Sequence, residues 1–351
     1  GMFKADWSLP EPTQDKYSES LLSGATSFGD TAVVTIARSG GEGFDLPRDV
    51  NAETSNYPYF SYTNNSDEYA DFEDGQGYLE LTRPEKDMIE LAKQTSDKTV
   101  VVINAANAFE LGDLQDDPEI DAIVWAIPGG QVGFNALGRI LDGEVNPSAE
   151  TPDTFARDIK SGPAANNFGD FQYTSMTEFA QDDPFNKGAQ TQPSFVNDND
   201  SIYVGYRWYE TAAAEGVIDY ASEVVYPFGF GLSYTTFSQS MGDISVDEAS
   251  GAMTADVTVT NTGQVAGKDV VQIYDNPPYT DGGIEKAAAN LLSYEKTKLL
   301  EPGETQTITV TWNRDSLASY DAKDAKAYVL EAGNYKISAR ANSHELRDER
   351  R

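Results

Sequence analysis

The sequence predicts two domains of different class, an α/β domain over residues 1–235 and an all-β domain over residues 236–351. Three observations support this division. Short runs rich in Val and Ile alternate with helix signals in the first part of the chain, the pattern of an α/β fold. From about Ser238, short stretches of alternating polarity follow one another with turn signals between them. The length of 351 residues suits two domains, or three small ones.

Three apolar runs predict the strands of the α/β domain: Thr31–Ala37, Lys98–Asn104 and Ala122–Ala126. Because these runs do not alternate strictly, they are typical of strands that are covered on both faces. Helices are predicted over residues 14–22, 82–94 and 131–141. The second has Thr82 as its N-cap and Pro84 in its first turn. Strands and helices that alternate in this way predict a three-layer α/β/α sandwich with a mostly parallel sheet.

The polar, tyrosine-rich stretch over residues 51–78 is predicted to be a long loop. A loop of this length inside a compact domain is uncommon, and such loops are usually functional or mobile. Its Tyr and Phe side chains fit two interpretations equally well. They line a ligand site, or they pack as part of a surface insertion.

The second domain is predicted from its alternating strands and the turns between them. The predicted strands cover residues 253–260, 268–274, 291–300, 305–312 and 334–341. Turn sequences such as EPGE at 301–304 separate them. Short strands in this arrangement predict an immunoglobulin-like β-sandwich.

The composition excludes several classes of function. There are 25 basic and 58 acidic residues, a net charge of −33, which argues against nucleic acid and anionic membrane surfaces as partners. The chain has no cysteine, which excludes disulfides, zinc ribbons and thiol catalysis. Its single histidine, His344, excludes a Ser/His/Asp triad and a two-histidine metal site. Acid–base chemistry therefore falls to carboxylates, Tyr or Lys.

Neither a metal nor a cofactor is predicted. The acidic stretches DFEDGQG (71–77) and NDNDS (197–201) lack the ligand spacing of a calcium-binding EF-hand, which favours solvated loops. No apolar run approaches the roughly 20 residues of a membrane-spanning helix. No signal peptide is visible, which slightly favours the cytoplasm, although the Gly-Met start leaves the natural N-terminus open.

The candidate catalytic residue is Glu42, in a glycine-rich turn directly after the first predicted strand. Open α/β sheets bind their ligands beyond the carboxyl ends of their strands, where this turn lies. A dinucleotide site is disfavoured because Leu46 replaces the third glycine of the fingerprint and Glu42 would repel a pyrophosphate. Two interpretations remain at this level. Glu42 is the proton donor of a glycoside hydrolase, oriented by Arg38 or Asp45, or it is a structural carboxylate that caps the turn or pairs with Arg38.

A family resemblance favours the first interpretation. The motifs that carry it, in chain order, are VVTIARSGGEGFD (33–45), PGGQVGFNAL (128–137), DGEVNPS (142–148), TPDTF (151–155), IYVGYRWY (202–209) and YPFGFGLSYTTF (226–237). The all-β part adds VTNTG (259–263), GKDVVQ (267–272) and LEPGE (300–304). Together they resemble the family 3 glycoside hydrolases, the β-glucosidase family, over nearly the whole chain. The last part resembles that family's fibronectin-III-like domain.

The resemblance implies that Glu42 is the general acid/base of a retaining mechanism acting on an oligosaccharide or glycoside. It also implies that the nucleophile, an aspartate, lies on a (β/α)8 barrel, a fold of about 250 residues that this chain does not contain. The details resemble members in which the barrel follows the other domains. The chain alone is therefore expected to be inactive. Gly40 and Leu46 depart from the family pattern and leave the finer substrate contacts open. The alternative is a non-catalytic carbohydrate-binding or structural module.

Overall fold

The computed structural model describes residues 5–40, 46–56, 60–167, 171–183, 188, 190–195 and 197–350. The chain packs into two compact units. Unit 1 comprises Gly1–Gly133, Ala156–Lys160 and Ala165–Asp198, and unit 2 comprises Phe134–Phe155, Ser161–Ala164 and Asn199–Arg351. The predicted domain boundary after residue 235 stays a prediction.

The helices are α1 (Glu19–Phe28), α2 (Val50–Asn56), α3 (Arg83–Thr95), α4 (Gly112–Asp116), α5 (Phe134–Leu141), α6 (Ala164–Asn167), α7 (Tyr206–Ala214) and α8 (Tyr220–Glu223). Within the described ranges, none of them is both long and apolar enough to cross a bilayer. Short 3₁₀ turns cover Gln14–Lys16, Thr177–Phe179 and Arg314–Leu317.

The strands before residue 230 are β1 (Ala5–Asp6), β2 (Thr31–Ala37), β3 (Phe60–Ser61), β4 (Lys98–Asn104), β5 (Ala122–Ala126), β6 (Phe155–Ala156), β7 (Phe171–Gln172), β8 (Gln181–Asp182), β9 (Gln190–Thr191), β10 (Ser194–Phe195) and β11 (Val224–Tyr226). The later strands are β12 (Phe237–Val246), β13 (Ala252–Asn261), β14 (Val270–Asn276), β15 (Asn290–Lys296), β16 (Thr305–Asn313), β17 (Ser319–Asp321), β18 (Ala327–Val329), β19 (Lys336–Arg340) and β20 (Leu346–Arg350).

A parallel three-stranded sheet forms the centre of unit 1. Its order is β2-β4-β5, with Thr31 opposite Lys98 and Val100 opposite Ala122. The three strands cover the residues that the sequence predicts, and Val101, Val102 and Ile103 of β4 are fully buried. The prediction of an α/β fold with a parallel sheet is therefore confirmed. The expected coverage on both faces is wrong for β2, where burial alternates and Val33 is exposed, because β2 is an edge strand of this sheet. All three strands end at the same edge, because they are parallel.

Helix α3 packs against β2 and β4 and begins where the sequence predicts. Thr82 and Glu85 form a reciprocal capping box at its start, with Pro84 in the first turn. Helix α1 begins later than predicted. Its N-cap is Ser18, whose hydroxyl accepts a hydrogen bond from the Leu21 amide, and the expected first turn is a 3₁₀ turn instead.

The tyrosine-rich stretch is more ordered than a loop. It contains α2, which begins after Asp49, whose carboxylate accepts a hydrogen bond from the Ala52 amide. Phe72 and Tyr78 are fully buried in a cluster with Trp7, Leu9 and Val50. Trp7 and Tyr78 meet edge to face, with ring centroids 4.7 Å apart. Phe72 and Tyr78 are therefore packing residues, as the second of the two interpretations predicts. Tyr57 and Tyr59 lie outside the described residues.

The later part of unit 2 is a β-sandwich of two antiparallel sheets. One sheet has the order β12-β13-β16 and the other β15-β14-β19-β20. In β13 burial alternates along the strand, which is what the alternating sequence predicts. The side chains between the sheets are Met241, Met253, Ala255, Val257, Val259, Val271, Ile273, Leu300, Val310, Trp312, Leu317, Ile337 and Ala339. The predicted all-β sandwich is confirmed.

The motif YPFGFGLSYTTF belongs to unit 2 and packs on β14. Gln272 of β14 donates a hydrogen bond from Nε2 to the carbonyl of Gly229, at 2.9 Å. Gly229 has a φ of +78°, and a Cβ there would lie 2.2 Å from Gln272 Oε1. Only glycine satisfies both the backbone angle and the close approach, which explains this position of the motif.

Candidate active-site loop

The candidate site lies at the carboxyl edge of the parallel sheet, where β2 continues into the glycine-rich turn. Arg38 is the first residue after β2. Its amide donates a hydrogen bond to the carbonyl of Asn104 at the end of β4, at 3.0 Å. The two strand ends are thus still paired where the turn begins.

The Arg38 side chain is buried, and its charge is balanced by Glu85. Arg38 Nη1 and Nη2 donate hydrogen bonds to the two carboxylate oxygens of Glu85, both at 2.6 Å. The two side chains are 1% and 4% exposed. A bidentate, charge-assisted pair of this kind is among the stronger hydrogen-bonded contacts in proteins.

The other N–H groups of Arg38 bind backbone carbonyls. Nε donates to the carbonyl of Tyr78 and Nη2 to that of Glu80, each at 2.7 Å, and Nη1 donates to its neighbour Ala37 at 2.9 Å. With the two bonds to Glu85, all five guanidinium N–H donors have acceptors. The guanidinium also lies 5.5 Å from the ring centroid of Tyr78 and 5.1 Å from that of Phe109.

Tyr78 contacts both stems of the turn. Its carbonyl accepts from Arg38, and its hydroxyl lies 3.1 Å from the Ser39 hydroxyl on the outgoing stem. Its amide donates to the carbonyl of Pro47 on the returning stem, at 2.9 Å. Leu46 of the same stem packs on the cluster that contains Tyr78. The described residues on the two sides of 41–45 therefore contact one buried tyrosine.

Asn104, the last residue of β4, and Asn107, three residues later, lie near the outgoing stem. A Cβ on Gly40 would lie 2.7 Å from Asn107 Oδ1, so the chain passes close to this side chain. The Oδ1 atom of Asn104 is buried and has no hydrogen-bond partner within the described ranges. The edge of the sheet thus presents amide groups next to the turn.

Of the predicted site residues, Glu42 and Asp45 lie outside the described residues. The structure places Arg38 at the base of the turn, where its donors are already bonded. Its predicted orienting role toward Glu42 stays a prediction, and the bonds observed are to the backbone of the stems and to Glu85. The alternative interpretation, in which Glu42 pairs with Arg38, also stays a prediction.

Glu85 is the residue that the sequence did not single out at this site. It appears in the sequence only as the third residue of the helix that Thr82 caps. The capping box itself is readable from Thr82 and Glu85, and its second carboxylate oxygen accepts from the Thr82 amide at 2.8 Å. The sequence carries no signal that this carboxylate is buried against Arg38, because the pair joins residues 47 positions apart.

A polar cleft of about 450 Å³ within unit 1 lies next to the Arg38–Glu85 pair. Glu80 lines it, and the carbonyl of the same residue binds Arg38. Glu110 also lines the cleft, and its Oε1 accepts a hydrogen bond from the Ile159 amide at 2.9 Å. Burial raises the pKa of Glu110 to about 7. Lys160 Nζ lies 3.7 Å from Glu80 across the same cleft.

The sequence from residue 22 to residue 234 matches the glycosyl hydrolase family 3 C-terminal domain. The chain belongs to glycosyl hydrolase family 3. Residues 269–343 match the fibronectin type III-like domain, in agreement with the sandwich of unit 2.

Family 3 relatives cover nearly all of this chain. The chain is 34% identical over 339 residues to Beta-glucosidase A of Butyrivibrio fibrisolvens, covering 90% of this chain and 36% of that protein. It is 31% identical over 325 residues to a Beta-glucosidase of Ruminococcus albus, covering 92% of this chain and 28% of that protein. The chain therefore spans about a third of the length of these two relatives.

Solved family 3 structures have the same fold over the same extent. The β-glucosidase 3B from Thermotoga neapolitana, in complex with glucose, superposes with a TM-score of 0.71 at 27% identity, over 97% of this chain and 40% of that one. A β-glucosidase from Paenibacillus barengoltzii gives a TM-score of 0.70 at 28% identity, over 95% of this chain and 31% of that one.

Proposed function

We propose that this chain is the part of a retaining β-glucosidase-like enzyme that supplies the general acid/base, Glu42, while a separate barrel domain supplies the nucleophile. The enzyme would remove terminal β-linked sugars from oligosaccharides or glycosides. The observation that carries the proposal is the motif RSGGEGFD at the carboxyl end of β2, in a chain of family 3. The chain spans about a third of the length of these relatives, and we assign the activity to a longer protein that contains it.

The packing of the loop stems supports this role. A proton donor acts only when its carboxyl group lies within hydrogen-bond reach of the glycosidic oxygen. Arg38 and Tyr78 bind the described residues on both sides of 41–45, and we propose that these contacts restrict the positions open to Glu42. From the sequence, Gly41 and Gly43 are expected to permit the backbone angles that such a turn needs.

The chemistry assigned to Glu42 has two steps. As an acid it protonates the departing oxygen while the nucleophile of the barrel attacks the anomeric carbon. As a carboxylate it then takes a proton from the water that hydrolyses the glycosyl-enzyme intermediate. Neither step is possible without the nucleophile, so we expect the chain alone not to hydrolyse glycosides.

Turnover of a chromogenic aryl β-glucoside by the purified chain tests whether the chain alone is inactive. We expect none above the rate of the Glu42→Gln variant. Turnover that depends on Glu42 would contradict the division of the catalytic pair between domains. Calorimetric titration with glucose and cellobiose tests the alternative, since tight binding by the chain alone would favour a carbohydrate-binding module.

The acid role is tested in the longer enzyme that contains this chain. The Glu42→Ala variant should lose most activity on substrates with poor leaving groups, such as cellobiose. Glycosylation by activated aryl glucosides should be largely retained, because their leaving groups need little protonation. Equal losses on both classes would contradict the assignment.

A further inference from the structure

We infer that Glu85 is a positioning residue for the general acid/base, and that it acts through Arg38 and not by contact with substrate. The inference rests on the proposed role of Glu42. Glu85 is the one carboxylate in the described part of the chain that binds the Arg38 guanidinium, and it does so with both oxygens at 2.6 Å.

The contacts of Arg38 explain how Glu85 could influence the loop. With its charge balanced by Glu85, the guanidinium remains in a nearly solvent-free site and donates to the carbonyls of Tyr78 and Glu80. Tyr78 in turn binds the returning stem through Pro47. Removal of the negative charge would leave Arg38 buried without a counter-ion, which favours its movement toward water. Such a movement would break the bond from Arg38 to the Tyr78 carbonyl, one of the two contacts of Tyr78 with the outgoing stem.

Glu85 also links this arrangement to a rigid element. It is the third residue of α3, where its Oε2 accepts from the Thr82 amide at 2.8 Å. The carboxylate therefore has a fixed position relative to the helix, and Arg38 has a fixed position relative to the carboxylate. The Arg38–Glu85 pair therefore fixes the outgoing stem relative to the start of α3.

The other end of α3 provides a matched control. Lys93 lies near the last turn and donates to Asp117 at 2.7 Å, and its side chain is 9% exposed. Asp117 is 23% exposed, and Lys93 also contacts Glu90 and Glu119, so this ion pair on α3 is the more exposed of the two. It has no contact with Arg38 or Tyr78 among the described residues.

The experiment compares Glu85→Gln with Asp117→Asn in the longer enzyme. Gln at position 85 can keep the capping box, so the change removes mainly the charge and one acceptor. The readout is the ratio of kcat/KM for cellobiose to kcat/KM for 2,4-dinitrophenyl β-glucoside. This ratio does not depend on how much of the protein is folded.

We expect Glu85→Gln to lower this ratio at least 10-fold, since a misplacement of about 1 Å can cost on the order of 100-fold in rate. The loss should lie in kcat for cellobiose, with KM changed less than about threefold. Asp117→Asn should leave the ratio unchanged. An unchanged ratio for Glu85→Gln, or the same fall for Asp117→Asn, would overturn the inference.

The Glu42→Ala variant, measured in the same assays, separates the positioning role of Glu85 from the acid role of Glu42. If Glu42→Ala lowers the ratio and Glu85→Gln does not, only the positioning role is wrong. If neither lowers it, the acid role of Glu42 is itself contradicted. Circular dichroism of Glu85→Gln in this chain alone shows whether the fold is retained.

Discussion

Arg38 and Glu85 are 47 positions apart in the sequence, yet their side chains form two hydrogen bonds of 2.6 Å in the interior of unit 1. The pair joins the end of β2 to the start of α3. Arg38 lies four positions before the candidate acid/base, Glu42, in the sequence. The stability expected for Glu85→Ala and the substrate ratio expected for Glu85→Gln both depend on this ion pair.

Removal of the Glu85 carboxylate should destabilise unit 1. Glu85→Ala leaves Arg38 as a buried, uncompensated charge, and such changes cost about 3–5 kcal/mol. Native-state hydrogen exchange of the β4 amides measures the free energy of opening of this unit. Lys86→Ala is the control on the same helix, because its pair with Asp113 is 3.6 Å long and exposed. We expect the control to change the free energy by less than about 1 kcal/mol. Similar costs for both variants would contradict the account of the pair.

Gly229 should be far less replaceable than another glycine with the same backbone angle. Gly229 has a φ of +78° and Gly303 a φ of +79°, but only a Cβ at Gly229 meets Gln272, at 2.2 Å. Gly303→Ala should therefore cost about 1–2 kcal/mol for the left-handed backbone alone. Gly229→Ala should cost clearly more. Thermal unfolding followed by circular dichroism compares the two, and equal shifts in Tm would show that the close approach is unimportant.

His344 should titrate above its ordinary pKa of 6.5, because its Nδ1 lies 3.0 Å from the buried carboxylate of Glu210. The raised pKa means that protonation stabilises the fold. This contribution is complete below pH 6.5 and is lost as the pH rises through the folded value. Since the chain has one histidine, its NMR signal gives the titration directly. Glu210→Gln should lower the midpoint, and an unchanged midpoint would exclude the pair as the cause.

Glu110 should make unit 1 less stable as the pH rises. Burial raises its pKa from 4.5 to about 7, so the stability associated with the protonated form is lost between these two values. Glu110→Gln removes the charge and keeps the shape. The variant should be more stable than the parent chain at pH 8 and similar to it at pH 4, measured by hydrogen exchange of β4. A lower stability at pH 8 would contradict this prediction.

Apolar runs and helix-capping residues predicted the strands of the parallel sheet and the start of α3. The Val- and Ile-rich runs of β2, β4 and β5 gave their bounds, and Thr82 marked the start of α3. Elements of polar composition were missed. Helix α2 begins with an Asp49 cap in a stretch that reads as a loop, and β20 lies in a charged segment that pairs with β19 only in the folded chain.

At the candidate site, too, only the features that are contiguous in the sequence were predicted. Glu42 was predicted from a turn motif and a family resemblance, both of which are contiguous in sequence. The Arg38–Glu85 pair and the contacts of Tyr78 with both stems join residues about 30 to 50 positions apart, and such pairings depend on how the helix packs on the sheet. The sequence predicted Arg38 as a neighbour of Glu42, whereas the structure places its side chain against Glu85 and backbone carbonyls.

Azide rescue of the Glu42→Ala variant of the longer enzyme tests the central claim most directly. With 2,4-dinitrophenyl β-glucoside, loss of the general base should make hydrolysis of the glycosyl-enzyme intermediate slow, because water needs a base. Azide needs none, so it should restore turnover and yield β-glucosyl azide with retained configuration. The absence of rescue, or an α-configured product, would contradict the assignment of Glu42 as the acid/base of a retaining enzyme.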